Sequence, residues 1–149
     1  MKPKKKKYSS AEQSPGFLLW QSATAWQKKV ATALEEVGLS HVQFVLLVGL
    51  QNFYNKNEET TQTRLASMTR TDVMMTSQVL RKLESRGLVK RKAHETDSRA
   101  KKIVITKKGI DAVEEGIRVV EDVDSEFFEP ISKDLDKLGS ILEGFKTVE

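Results

Sequence analysis

The sequence contains no cysteine, which excludes disulfides, thiolate metal ligands and cysteine-based redox sensing and agrees with a reducing compartment. Histidine occurs only at His41 and His94, neither spaced with carboxylates as a ligand set would be, so no metal is expected. The longest apolar run, residues 44–50, falls far short of the roughly 18 residues needed to span a bilayer. The apolar stretch 17–20, which follows a basic start at residues 2–7, is too short for the core of a secretory signal. A cytoplasmic protein without a membrane partner is therefore expected. There is no glycine-rich phosphate loop, no nucleophile elbow and no paired carboxylate in an apolar setting. Glu35-Glu36 and Glu114-Glu115 read as solvated helix faces, so neither an enzyme nor a cofactor is expected.

What the chain does have is charge of opposite sign in different places. Its net charge of +4 conceals 13 Lys or Arg against 4 Asp or Glu in residues 61–108, and 4 against 12 in residues 109–149. A lobe carrying +9 suits a polyanionic partner, because each cation that meets a phosphate releases condensed counterions. The acidic lobe would be held away from it.

The basic stretch has an order of its own. In TDVMMTSQVLRKLESRGLVKR, Thr76, Val79, Leu80 and Leu83 recur at the spacing of one buried helix face. Met74, Met75, Ser77, Gln78 and Arg81 are left on the free side, and Asp72 stands where it can cap the first turn. Arg86-Gly87 stops the helix; LVKRKA and KIVIT then read as two strands around the polar tip HETDSRAK. The tip carries Asp97, Ser98, Arg99 and Lys101. An acid two residues before an arginine is either an exposed hairpin ion pair, which contributes little, or a device that holds the guanidinium in one orientation for insertion into a minor groove.

Residues 65–109 resemble the MarR family of bacterial transcriptional regulators, without gaps. The similar features are Leu65-Ala66, Leu83-Glu84, Gly87-Leu88-Val89, Asp97-x-Arg99-Ala100, and Thr106 to Gly109 opening the next helix. The resemblance implies a winged helix-turn-helix that binds double-stranded DNA as a homodimer. It also implies a small, often aromatic, effector held between the lobes, whose contacting residues no motif identifies. The chain departs from the family at Thr71, usually apolar, and at Val73-Met74-Met75, usually small and polar. These departures bear on the operator that is read and leave the fold expectation intact.

Around this centre the chain divides into a disordered basic tail (1–16), a helical dimerisation region (17–38 and 109–149) and the DNA-reading winged helix-turn-helix (39–108), giving a mainly α fold with a small β-hairpin wing. The periodicity predicts a helix over 17–37 stopped by Gly38, with Trp20 and Trp26 as core or interface. A central helix begins with a Ser40/Gln43 capping box and a Leu39/Phe44 staple and ends near Asn55. Next comes a short helix capped by Thr60 or Thr61 with Leu65, Ala66 and Met68 inward, and last two helices after Thr106 separated at Glu129-Pro130. The apolar stripes at both ends exceed what one lobe can cover, which predicts a second copy as their partner. The leading reading is a sequence-specific regulator, a repressor on a pseudo-palindromic operator. The competing readings are a less specific nucleic-acid-binding or architectural protein and a winged-helix protein-interaction module. A protein-only module does not need a +9 lobe, and an RNA reader would show exposed stacking aromatics on its reading face, where this chain has none.

Overall fold

A computed structural model describes residues 6–93 and 101–148. After a 3-10 turn at Ala11–Gln13, six helices and one hairpin follow: α1 (Pro15–Glu35), α2 (His41–Asn55), α3 (Gln62–Thr69), α4 (Val73–Ser85), β1 (Val89–Ala93), β2 (Lys101–Ile105), α5 (Lys107–Phe127) and α6 (Leu135–Glu143). The sequence expectation of a mainly helical chain with a small hairpin wing is met.

Side-chain caps set most of these boundaries. Ser40 and Gln43 form the expected reciprocal box at α2, Thr61 rather than Thr60 caps α3, and Thr106 caps α5 through the Gly109 amide. Two expectations need correction. The first helix begins at Pro15 and not at residue 17, because the Ser14 hydroxyl accepts from the Phe17 amide and proline at the first helical position has no amide to lose. Its start, like the 3-10 turn before it, lies inside the stretch expected to carry no fold. Met68 is exposed rather than turned inward: the eight-residue α3 buries only Leu65 and Ala66.

The core is continuous from α1 to the wing. Val30 and Leu34 of α1, the largely buried α2, Leu80 and Leu83 of α4, Ile103 and Ile105 of β2 and Val113 of α5 share one cluster. Helix α2 is its axis, and α5 crosses it closely at Gly116, where an added Cβ would come within 2.6 Å of the Phe44 ring. At the outer end of the same seam, Trp26 donates from Nε1 to Asp124 Oδ1 at 2.7 Å and meets the His41 ring edge-on at 5.4 Å. Burial there lowers the His41 pKa below its usual value. Trp20, by contrast, is 70% exposed.

The strands pair antiparallel with Val89 opposite Ile105 and Ala93 opposite Lys101. A third backbone segment joins their edge, since Thr61 bridges Lys102 and the Ile103 amide donates to the Thr60 carbonyl at 2.8 Å. This pins the base of the wing to the start of α3. At the other end, Glu129-Pro130 opens a 3-10 segment, Glu129–Asp134, in which Ile131 leaves helical geometry (φ −121°, ψ 23°), and α6 follows with no buried residue.

Candidate nucleic-acid interface

Helix α4 is built to expose one face. Thr76, Leu80 and Leu83 are buried and Val79 is half-buried, so the expected inward face is the real one. Asp72 Oδ1 accepts from the Met75 amide at 2.9 Å, which satisfies an orphan donor at the helix start. Met74 is 74% exposed and Met75 40%, and Gln78 and Arg81 are exposed on the same side. Ser77 differs from them. It is half-buried and its carbonyl accepts from Arg91 Nη2 at 3.4 Å, so it sits at the margin of the exposed face, against the wing.

The elbow between α3 and α4 holds an arrangement that spacing did not reveal. Thr69 Oγ1 lies 2.8 Å from the Leu65 carbonyl and 2.9 Å from Thr71 Oγ1; Thr71 Oγ1 lies 2.7 Å from Thr76 Oγ1, which is 2.7 Å from the Asp72 carbonyl. Three hydroxyl protons cover at most three of these four contacts at once. The chain of hydroxyls explains why threonine is tolerated at position 71 and how Thr76 can be fully buried. Thr76→Val should lower the unfolding free energy by about 1 kcal/mol. Thr71→Val should cost less, because Thr69 and Thr76 each keep a carbonyl acceptor. Urea denaturation of both variants checks this, and equal losses would mean that the three hydroxyls act as one unit.

The basic residues divide into committed and free. Arg64 pairs with Glu58 and lies 4.6 Å over the Phe53 ring, Lys102 pairs with Glu59 at 2.9 Å, and Lys108 donates to the Arg86 carbonyl at 2.9 Å. Arg91 turns under α4 between Ser77 and Glu84, with Nε 3.6 Å from Glu84 Oε2; that nitrogen is buried without a hydrogen bond. Sequence reasoning missed this role, although strand alternation puts Arg91 on the same inward face as Val89. Among the described residues the side chains of Arg81, Lys82, Lys90, Lys92 and Lys101 are exposed and carry no hydrogen bond or ion pair. Lys101 opens β2; Asp97, Ser98 and Arg99 lie outside the described residues. What the described part offers is an exposed helix face with methionine and amide chemistry, flanked by unpaired cations on the helix and the wing strands. Such a surface fits a groove lined by phosphates.

Among the described residues no group of acidic, histidine or cysteine side chains could hold a metal, and no helix is long and apolar enough to cross a membrane.

Comparison with known proteins agrees with this geometry. Residues 35–124 match the family described as the ArnR1-like winged-helix domain. The chain is 39% identical over 140 residues to YdcH, an uncharacterised HTH-type transcriptional regulator of Bacillus subtilis (strain 168), covering 94% of this chain and 95% of that one. Its fold is similar to that of a MarR family regulator from Rhodococcus sp. RHA1 (TM-score 0.84, 22% identity, 95% of this chain and all 100% of the other). It is also similar to CouR from Rhodococcus jostii RHA1 bound to p-coumaroyl-CoA (TM-score 0.80, 23% identity, 95% and 98% covered). CouR on a 23-mer DNA duplex matches equally well (TM-score 0.80, 22% identity, 94% and 97% covered). An exposed α4 face, a hairpin wing pinned to α3 and a relative named as a regulator converge on one assignment: the chain belongs to the ArnR1-like winged-helix family of HTH-type transcriptional regulators and has the fold of a MarR family regulator.

Proposed function

We propose that the protein is a homodimeric repressor that reads a pseudo-palindromic operator in the cytoplasm. The observation that carries this reading is the exposed face of α4, with Met74, Met75, Gln78 and Arg81 together above a lobe of net charge +9. In the major groove, the Gln78 amide donates and accepts toward adenine, the methionines pack on thymine methyls, and Arg81 anchors a phosphate. Ser77 lies at the edge of the contact. The wing residues Asp97, Ser98, Arg99 and Lys101 reach the adjacent backbone and minor groove. Residues 39–108 are the reading lobe, and residues 17–38 with 109–149 join two chains.

Dimerisation is supported by apolar side chains without cover: Phe17, Leu18, Leu19 and Trp20 on α1, and Leu135, Ile141, Leu142 and Phe145 on and after α6, are all exposed. That CouR has been seen both on DNA and with p-coumaroyl-CoA supports a bound state released by a small aromatic effector.

Selection from random duplex DNA tests the reading. It should enrich a pseudo-palindrome whose half-sites lie about one helical turn apart, roughly 34–36 Å. Enrichment of an unrepeated half-site, or of nothing, would contradict it. On the selected duplex, log K should fall against log salt with a slope of about −0.9 for each phosphate neutralised. Two basic lobes on one operator should make that slope steep, and titration at several salt concentrations measures it; a flat dependence would mean that the lobes do not neutralise phosphates.

A further inference from the structure

We propose that Arg70 is a positioning residue for DNA binding, whose guanidinium ties the C-terminal segment to the elbow between α3 and α4 through the backbone carbonyls of Phe145 and Lys146. The proposal rests on the operator-reading role of α4.

Arg70 lies two residues before the Asp72 cap of α4, with a left-handed backbone (φ 54°, ψ 38°). Glycine adopts that conformation without steric penalty and arginine does not. The chain therefore accepts local strain at the elbow to place a long cationic side chain there. That side chain has a use: Nη2 donates to the Phe145 carbonyl at 3.1 Å and to the Lys146 carbonyl at 3.0 Å, across 75 and 76 residues of sequence. Both acceptors belong to the turn that follows α6, where Phe145 and Lys146 donate back to Leu142 and Glu143. A helix end is rich in unsatisfied carbonyls and carries partial negative charge, so a guanidinium is held there by both hydrogen bonds and charge.

Helix α6 has no buried residue, and its main packing is against the 3-10 segment before it. The two Arg70 hydrogen bonds therefore fix where its far end sits. Because the apolar side chains of α6 are those assigned to a second copy of the chain, the tie carries the placement of the partner to the first turn of α4 without passing through the core. Arg81, Lys82 and the wing lysines keep their charges for phosphate, whereas the Arg70 charge is engaged by the tail.

Two changes and their combination test this: Arg70→Gly, which keeps the left-handed backbone, and termination after Glu143, which removes the acceptors. Affinity for a fluorescein-labelled duplex recovered from the selection is measured for each across salt, and amide exchange at Phe145, Lys146 and Val148 is followed in the full-length parent and Arg70→Gly chains. Arg70→Gly should weaken binding about fivefold, termination after Glu143 at least as much because it also removes the apolar Phe145 side chain assigned to the second copy, and the pair no more than termination alone, since two halves of one contact are not additive. The salt slope should stay at the parent value, and tail amides should exchange faster in Arg70→Gly. Additive losses, or a slope whose magnitude falls by about 0.9 for each phosphate no longer neutralised, would overturn the proposal in favour of a direct Arg70 contact with phosphate. Unchanged tail exchange beside intact DNA binding would overturn the tie alone, whereas a parent chain that enriches no duplex would remove the operator reading on which it rests.

Discussion

Replacing Gly109 by alanine is expected to cost about 3 kcal/mol of stability, at the upper end of what overpacking does. Gly109 is buried in the first turn of α5, and its amide donates to the capping hydroxyl of Thr106 at 3.1 Å. A Cβ there would lie 2.2 Å from the Leu88 carbonyl oxygen and 2.7 Å from Ile105 Cγ1. The obstacle is backbone, and it cannot step aside. The Leu88 carbonyl accepts from the Thr106 amide at 3.1 Å, and the Thr106 hydroxyl donates to the Gly87 carbonyl at 2.7 Å. These bonds close the wing onto the start of α5, so any relief opens the joint between the reading lobe and the long helix. Gly139 is the control. A Cβ on it meets nothing within 4 Å, and Gly139→Ala in the middle of α6 should be neutral or stabilise by up to ~1 kcal/mol. Chemical denaturation of both variants decides the matter, and a destabilisation at Gly109 no larger than at Gly139 would contradict the packing described.

How far the sequence led depended on whether the physics was local. Caps are local, and those at Ser40, Asp72 and Thr106 stand where side-chain chemistry put them. The buried face of α4 followed from periodicity, because a helix packing on one side has to repeat its apolar contacts every third or fourth residue. The misreadings arose where a rule was outweighed. Ser14-Pro15 is a proper helix start, but the low apolar content before it suggested a tail extending to residue 16. Met68 satisfied the spacing of an inward position, yet α3 ends at the left-handed Arg70 before its surface is covered. The hydroxyls of Thr69, Thr71 and Thr76, and the bonds from Arg70 to the C-terminal carbonyls, join residues whose neighbourhood exists only after folding. Their sequence carries no period to find. Arg91 had a period, and its charge hid it.

Gln78→Ala is expected to remove on the order of 1–3 kcal/mol per half-site, because an amide that both donates and accepts toward adenine loses two directed bonds at once. In a dimer this penalty applies at both half-sites, so the total loss of binding free energy is about twice that for one half-site. Gln78 is exposed on the line that joins Met74 to Arg81 along α4, so truncating it leaves no cavity and disturbs no buried neighbour. Arg81→Ala should act differently. A phosphate anchor holds the protein on any sequence, so its removal weakens all duplexes alike and lowers the magnitude of the salt slope by about 0.9 for each phosphate no longer neutralised.

Which face of α4 reads the bases is the central question, and base preference at every operator position, measured by selection from random duplex with the parent, Gln78→Ala and Arg81→Ala chains side by side, tests it most directly. The expected result is relaxed preference at one base pair in each half-site for Gln78→Ala, symmetric about the centre, with the parent pattern kept by Arg81→Ala at lower affinity. A Gln78→Ala chain that selects the same base as the parent at every position would contradict it.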